Sequence, residues 1–395
     1  MIYPALTEEE RHIIETFYRK LGNYWKDSLS RWTTTPNLVF PIHYHSAVIG
    51  FCIDDKELIE WGLQDSGGKF GPSQGGLFPV LDSMLRDGAI WDEATIYAAV
   101  NVLQPMVQLA ILYKLYYGKD LFSYESPKGG SIKKLIDGYI ALTYPLERTG
   151  VGPGSFHIAT YGDGSTESPY SAHHNTDSIY LINLPWVRGN DRYELTNTLE
   201  QAYYVSRDPK YAWFLSHSVE REPSFLYGEN IPFGSVDPPP APSSIFPEAG
   251  IAMLRSDESP NYWTNGSIAV LQMMSRGYGH DHRDKMMIIM HAGGRLLYPD
   301  MNCIQYEPPS INWTASSVAH NTLVVDRGKT ANAPFTYRHS FCPEIKFLAT
   351  TASCYPSVIQ TRVLALTSEY LFDAFWADSD LPHTYDWVLH AIGKL

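Results

Sequence analysis

The sequence predicts an α+β protein, with helices first and a mostly antiparallel β domain after them. Three observations carry this. Apolar residues recur at helical spacing through the first half of the chain. A Pro/Ser-rich stretch at 233–247, FGSVDPPPAPSSIFP, has the character of an interdomain linker. After it come short β-rich runs separated by turn residues. The expected division is a helical domain over 1–232, the linker, and an antiparallel sheet domain over 248–395.

The elements follow in order. Thr7-Glu-Glu-Glu10 reads as a capped helix start, and Ile13, Ile14, Phe17 and Leu21 continue it at helical spacing. Residues 92–116 carry a second helical pattern through Ile96, Ala99, Val100, Leu103, Val107, Ala110, Ile111 and Leu115. Pro105 should kink or restart it, because proline has no N–H for the helical ladder. Further helical stretches lie near 131–144 and 192–206, separated by Gly- and Pro-rich loops. Paired helices of this kind suit an (α/α) toroid. The β runs are Ile251–Leu254, Ser267–Met273, Met286–His291, Asn321–Val325 and Val358–Leu366. No short-period repeat, GxGxxG, P-loop or GxSxG occurs.

The 395 residues carry 30 Lys+Arg against 43 Asp+Glu, a formal net charge of −13. No basic stripe is available to neutralise phosphates, which argues against nucleic acid or a membrane surface as partner. Whole-chain charge says little about a single cleft, so an acidic substrate stays open. Ten Trp, 27 Tyr and 16 Phe are many. Such rings stack on sugars in carbohydrate enzymes, and they equally fill cores and sheets. Cys52, Cys303, Cys342 and Cys354 lie far apart with no CxxC, which argues against a metal–thiolate site. Free thiols and a single disulfide both remain open. No apolar run reaches 18 residues, and the start MIYPALTEEERHII lacks the order of a signal peptide. Asn265-Gly-Ser and Asn312-Trp-Thr match the glycosylation sequon, a pattern frequent by chance.

The densest chemistry is Gly277-Tyr-Gly-His280-Asp281-His282-Arg283-Asp284-Lys285, ahead of the apolar run MMIIM. In a strand, His280 and His282 would point to one face, able to share a metal or to divide metal binding from proton transfer. Alone, an HxH is more often a polar loop entering a strand. Here Asp300 and His320 follow at spacings that sequential strands could unite with His282 into a two-His, one-carboxylate metal site. In the helical half, His43-Tyr44-His45 follows the apolar stretch Leu38–Ile42, and DGAIWDEATIY leads into the long helix. Tyr97, near that helix start, can act as a proton donor or acceptor if cations or the helix terminus lower its pKa. Otherwise it is a packed tyrosine. His173-His174-Asn175 sits in a polar loop.

GHDHRDKMMIIMHAGGRLLYPD followed by SSVAHNTLVVD resembles the signature of the heparinase II/III-like polysaccharide lyases. DGAIWDEATIY and PIHYHSAV are similar to toroid motifs of that group and of its alginate-lyase relatives, so the resemblance spans roughly residues 36–330. It implies an (α/α) toroid joined to an antiparallel β-sandwich, and β-elimination on a uronic-acid polysaccharide, alginate first and heparan- or chondroitin-type glycosaminoglycans second. Tyr97 matches the general acid, which can also serve as base, and His280 the histidine near the cleaved linkage. His282, Asp300 and His320 match the metal ligands, for zinc first, with manganese or calcium as alternatives. His43 and His45 stand where many relatives carry an Asn-His pair, which leaves the carboxylate neutraliser and the base to be divided between them. Trp91, Glu93, His174, Asn175, Arg283 and Tyr306 are the candidate substrate contacts. The partner so implied is an acidic polysaccharide, acted on by a secreted or periplasmic protein.

Relatives usually continue beyond the point where this chain ends, at HTYDWVLHAIGKL. The expectation is an incomplete sandwich with an exposed edge, inviting self-association or a complementing C-terminal fragment. Two other classes stay in view. A toroid glycoside hydrolase needs two carboxylates across the bond, and Asp92 and Glu93 are adjacent residues that do not face each other across a cleft. A non-catalytic binding protein would hold the polymer without shortening it.

Overall fold

The structure, a computed structural model, describes residues 5–29, 35–149, 154–163, 179–182, 193–217, 223–301 and 308–392. Its contacts divide into two compact units, one of Met1–Ala89 with Val100–Ile136 and one of Ile90–Ala99 with Asp137–Leu395. The helices are α1 (Glu8–Leu29), α2 (Pro36–Ile53), α3 (Lys56–Gln64), α4 (Leu77–Met84), α5 (Thr95–Asn101), α6 (Leu103–Tyr117), α7 (Ile132–Ala141), α8 (Thr196–Ser206), α9 (Pro209–Ser216) and α10 (Ser310–Thr314).

In the first unit the capping box is realised. The Glu10 amide donates to Thr7 Oγ1 at 3.3 Å, and the Glu10 carboxylate accepts from the Thr7 amide at 2.8 Å. Helix α2 is the centre, with α1, α3 and α6 packed on it. Ile49, Ile53 and Leu58 form a small core with Leu21 against them. At Gly62 of α3 an added Cβ would lie 2.6 Å from both Ala47 Cβ and the His43 carbonyl oxygen. Only glycine lets α3 approach α2 this closely, and the approach sets its neighbour Trp61 against His43. The long predicted helix breaks at Val102 into α5 and α6. Pro105 is the cause: it cannot donate to Asn101, the last residue of α5.

The second unit holds the main sheets. Short strands come first: β1 (Leu85–Arg86, in the first unit), β2 (Ile90–Trp91), β3 (Phe156–His157), β4 (Ile179–Ile182) and β5 (Tyr193–Glu194). Strands β6 (Ser244–Phe246), β7 (Ile251–Arg255), β8 (Ala269–Met273), β9 (Ile288–Ala292) and β10 (Arg295–Tyr298) form a five-stranded sheet in the order β10-β9-β8-β7-β6. Each neighbouring pair from β6 to β10 is antiparallel. After β11 (Leu323–Val325) come β12 (Phe335–Phe341), β13 (Lys346–Tyr355), β14 (Val358–Leu366) and β15 (Leu371–Asp378), a four-stranded antiparallel meander. Strand β16 (Tyr385–Trp387) returns to pair with β11. Ala252, Leu254, Val270, Ile288 and Met290 share one buried core with Leu348, Leu364 and Leu366, so the two sheets bury their apolar faces against each other.

The stretch 233–247 is packed, not free. It contains β6, the Pro239 carbonyl accepts from Trp263 Nε1 at 2.8 Å, and the Pro242 carbonyl accepts from the buried Arg255 at 2.7 Å. Residues 137–232, expected with the helical domain, fall in the unit of the sheets. No single helix among the described residues is long and apolar enough to cross a membrane. Cys52, Cys342 and Cys354 are free thiols, and Cys303 lies outside the described residues.

Candidate active site

The site in the second unit is built from three segments: 92–97, 161–163 and 277–285. Backbone pairing brings the first and third together. The Gly279 amide donates to the Asp92 carbonyl and the Ala94 amide to the Gly279 carbonyl, both at 2.9 Å. A Cβ at Gly279 would lie 2.6 Å from Glu93 Cγ, so this contact needs glycine. The second segment joins through the Asp163 amide, which donates to the His280 carbonyl at 3.2 Å. Its neighbour Gly162 has φ +65°, and a Cβ there would lie 2.7 Å from that same carbonyl.

On this frame the side chains converge. Tyr97 stacks on His280 with ring centroids 3.7 Å apart and an interplanar angle of 15°. His280 Nδ1 lies 2.9 Å from one oxygen of Asp163, and His282 Nε2 lies 2.8 Å from the other. Burial pushes the Asp163 carboxyl up, but its bonds to the two imidazoles outweigh burial and hold it well below the usual carboxylate range. Glu93 Oε1 is 3.8 Å from His280 Nε2, and Glu93 Oε2 accepts from Trp91 Nε1 at 2.7 Å. One imidazole is thus held between two carboxylates and faced by a phenol.

The loop is fixed from below. Lys285, fully buried, donates to Asp284 at 2.7 Å and also bonds Asp281, with its ammonium 4.9 Å from the Tyr278 ring. Burial would favour the neutral amine, but the two carboxylates overcome it and raise its pKa. Asn321 Nδ2 donates to the Ile288 and Pro299 carbonyls at 3.0 and 2.8 Å, tying the segment after His320 to β9 and to the turn before Asp300.

The structure changes several expectations. His280 and His282 lie in a loop, not in a strand, and His280 adopts φ +60°. Their imidazoles meet through Asp163, not through strand alternation. Trp91 and Glu93, expected at the substrate, are each about 2% exposed, and of the two Glu93 is the one that reaches His280. Arg283 is exposed. His174, Asn175 and Tyr306 lie outside the described residues.

Of the expected metal ligands, His320 Nδ1 bonds Asp300 Oδ1 at 2.5 Å, and the His282 and His320 ring centroids are 5.4 Å apart. Burial disfavours the His320 cation, but Asp300 more than compensates and raises its pKa. Among the described residues no three His, Cys, Asp or Glu groups are arranged as a metal site. Three buried atoms nevertheless make no hydrogen bond: His282 Nδ1, Asp300 Oδ2 and His320 Nε2.

His43 and His45 belong to the first unit, on α2. Two residues along a helix lie about 200° apart around its axis, so the two imidazoles point to different sides. His43 is wholly buried, stacked on Trp61 at 4.2 Å with its Nε2 3.0 Å from Asp65. His45 is on the exposed side beside Trp25 and Tyr44. His43 is thus a wholly buried residue of the first unit, whereas His45 on the same helix is exposed.

Asp163, which organises both histidines, was not among the sequence candidates. Its signal is slight: a Gly-Asp-Gly sequence, 117 and 119 residues from its partners.

No protein-family model matches the chain. An alginate lyase of Stenotrophomonas maltophilia (strain K279a) is 25% identical over 173 residues, covering 37% of this chain and 23% of that protein. Heparinase III superposes with a TM-score of 0.56 at 14% identity, covering 85% of this chain and 46% of the solved one. The heparan sulfate lyase HepC of Pedobacter heparinus gives 0.59 at 13% identity, covering 92% and 48%. The chain thus spans about half of these solved chains and about a quarter of the alginate lyase. The fold is that of the heparinase III structures, and the sequence likeness is to one alginate lyase.

Proposed function

We propose that this chain, built on the heparinase-type fold, is a polysaccharide lyase that cleaves a uronic-acid polysaccharide, alginate first, by β-elimination. The observation that carries the reading is Tyr97 stacked on His280, with His280 held by Asp163. The reading includes an (α/α) toroid for the helical part and an antiparallel β-sandwich for the sheets. Heparan- and chondroitin-type polymers are the second choice of substrate. A polymeric substrate also favours a secreted or periplasmic protein.

The chemistry is assigned within the second unit. A base takes the proton from C5, the electron pair forms the C4–C5 double bond, the bond from C4 to the glycosidic oxygen breaks, and an acid protonates that oxygen. Tyr97 is assigned the proton given to the leaving oxygen, and in its phenolate form it can accept the C5 proton. His280 fixes the plane of the phenol. Asp163 and Glu93 hold His280 in place. Arg283, exposed on the same loop, is assigned to the uronate carboxylate, whose neutralisation makes the carbanion-like state tolerable.

A divalent ion belongs to the same reading, zinc first and manganese or calcium next, with His282, Asp300 and His320 as its holders. Support comes from the donor chemistry: two imidazole nitrogens and a carboxylate oxygen, all buried and without hydrogen bonds, suit zinc. Such an ion, when bound, supplies a cross-link among the loops that carry these residues. Elemental analysis of the purified protein is expected to find about one such ion per chain, and chelation to lower the melting temperature. A metal-free protein with an unaltered melt after metal addition would remove the ion from the account.

The substrate test is a panel of alginate, heparan, chondroitin and hyaluronan, followed by near-ultraviolet absorbance of new unsaturated ends. Alginate is expected to respond most strongly. Shortened products without a double bond would replace the lyase by a hydrolase.

A further inference from the structure

The first unit holds a cavity of about 430 Å³, inside the roughly 300–1,000 Å³ range of small-ligand sites. Trp61 and Phe70 line it with two cations, Lys26 and Lys69, two carboxylates, Asp27 and Asp65, and the amide of Gln74. Behind it stands the buried pair described above. His43 covers one face of Trp61 at 4.2 Å and 21°, and the partly exposed remainder of the indole lines the cavity. The bond to His43 comes first in holding the Asp65 carboxyl below its ordinary range, ahead of the opposing effect of burial. Asp65 also shapes the rim, accepting from the Gly67 amide at 3.3 Å through its carboxylate and from the Gly76 amide at 2.8 Å through its carbonyl. The turn between them is tight: Gly67 has φ +74°, and a Cβ there would lie 1.9 Å from the Gly71 carbonyl oxygen.

We infer that this cavity is a saccharide subsite that takes one uronate residue of the polymer. The indole offers a flat apolar face to the C–H side of a pyranose, and Phe70 adds a second ring. Lys26 and Lys69 supply charge for the sugar carboxylate. The Lys69 ammonium lies 4.8 Å from the Phe70 ring, and Lys26 is 2.6 Å from the mostly exposed Glu57, a contact in water that a ligand carboxylate can replace. The Asp65 carboxylate is already engaged by His43 and by the loop amide, so the two lysines are the groups left for an anion. Gln74 offers an amide to the hydroxyls. This inference rests on the polyuronate reading for the identity of the sugar.

The test is calorimetric titration of the full chain carrying Tyr97→Phe, which prevents turnover, with a mannuronate tetrasaccharide and with an uncharged mannose tetrasaccharide. Lys26→Met and Lys69→Ala, both at the surface, are each expected to weaken mannuronate binding about fivefold, the effect of about 1 kcal/mol. The parent is expected to bind the uncharged sugar at least about tenfold more weakly. Melting temperatures of the variants should match the parent. Absence of mannuronate binding, variant affinities within twofold of the parent, or equal binding of the uncharged sugar would overturn the subsite. Separately, a wild-type chain that forms no unsaturated ends while the lysine effects persist would retire the lyase reading and leave the subsite standing.

Discussion

At the scale of single residues the account turns on Asp163. Its two oxygens bond two histidines, so removing its charge leaves both imidazoles without a fixed orientation. Asp163→Asn keeps the size and one acceptor oxygen. It is expected to lower kcat about 100-fold with little change in KM, because His280 supports the phenol and is not assigned a contact with the sugar. Steady-state kinetics on the best polymer checks this, and an unchanged kcat would remove Asp163 from the machinery. Tyr97, His280 and His282 were legible because each lies in a dense motif. Asp163 was not, because an aspartate between glycines reads as turn chemistry. Trp91 and Glu93 were legible as members of the site but not in their roles, since burial is decided by segments remote in sequence. The same holds for His43: its HxH spacing is visible, and the helix that parts it from His45 is what spacing alone does not reveal.

The elements show where local signals suffice. The capping box of α1, the restart before Pro105 and the strands β7, β8, β9, β11 and β14 all follow from periodicity and caps. Strand β13 was missed because its inward positions include Lys346 and Thr350, which hide the alternation, and β12 because it is an exposed edge. Lys346 is buried there with its ammonium bonded to the Cys342 carbonyl. The packing of α3 on α2 gives a direct test. Gly62→Ala would force a methyl against Ala47 and the His43 carbonyl, both of them unable to swing away. A loss of about 1–3 kcal/mol in denaturant unfolding is expected. An unchanged midpoint would mean that the helices can separate without cost, and the wall formed by His43 and Trp61 would then be less rigid than described.

For the molecule as a whole, acid stability follows from buried histidine. His291 in β9 is 1% exposed, and neither ring nitrogen makes a hydrogen bond. Burial, with the nearby His157 adding to it, pushes its pKa down to about 3. The unfolded chain therefore binds a proton at this position below about pH 6.5 that the folded chain refuses until about pH 3. Stability is expected to fall as pH drops through that window, by roughly 1 kcal/mol per pH unit. His217, also held down by burial, acts in the same direction. Chemical denaturation between pH 7 and 4.5 checks this. A flat profile would mean that Glu147, 3.9 Å from His291, lets the imidazole charge in the folded state. The net charge of −13 places no bar on an acidic substrate, because the candidate groups that meet it, Arg283 in one unit and Lys26 and Lys69 in the other, are local.

The central claim is that Tyr97 moves the proton in an elimination. The most direct measurement compares wild type and Tyr97→Phe on alginate by near-ultraviolet absorbance, with circular dichroism and melting curves for both. The account predicts unsaturated ends from the wild type and at least a roughly 1,000-fold loss in the variant with the fold unchanged. A folded Tyr97→Phe protein that forms unsaturated ends at the wild-type rate would contradict it.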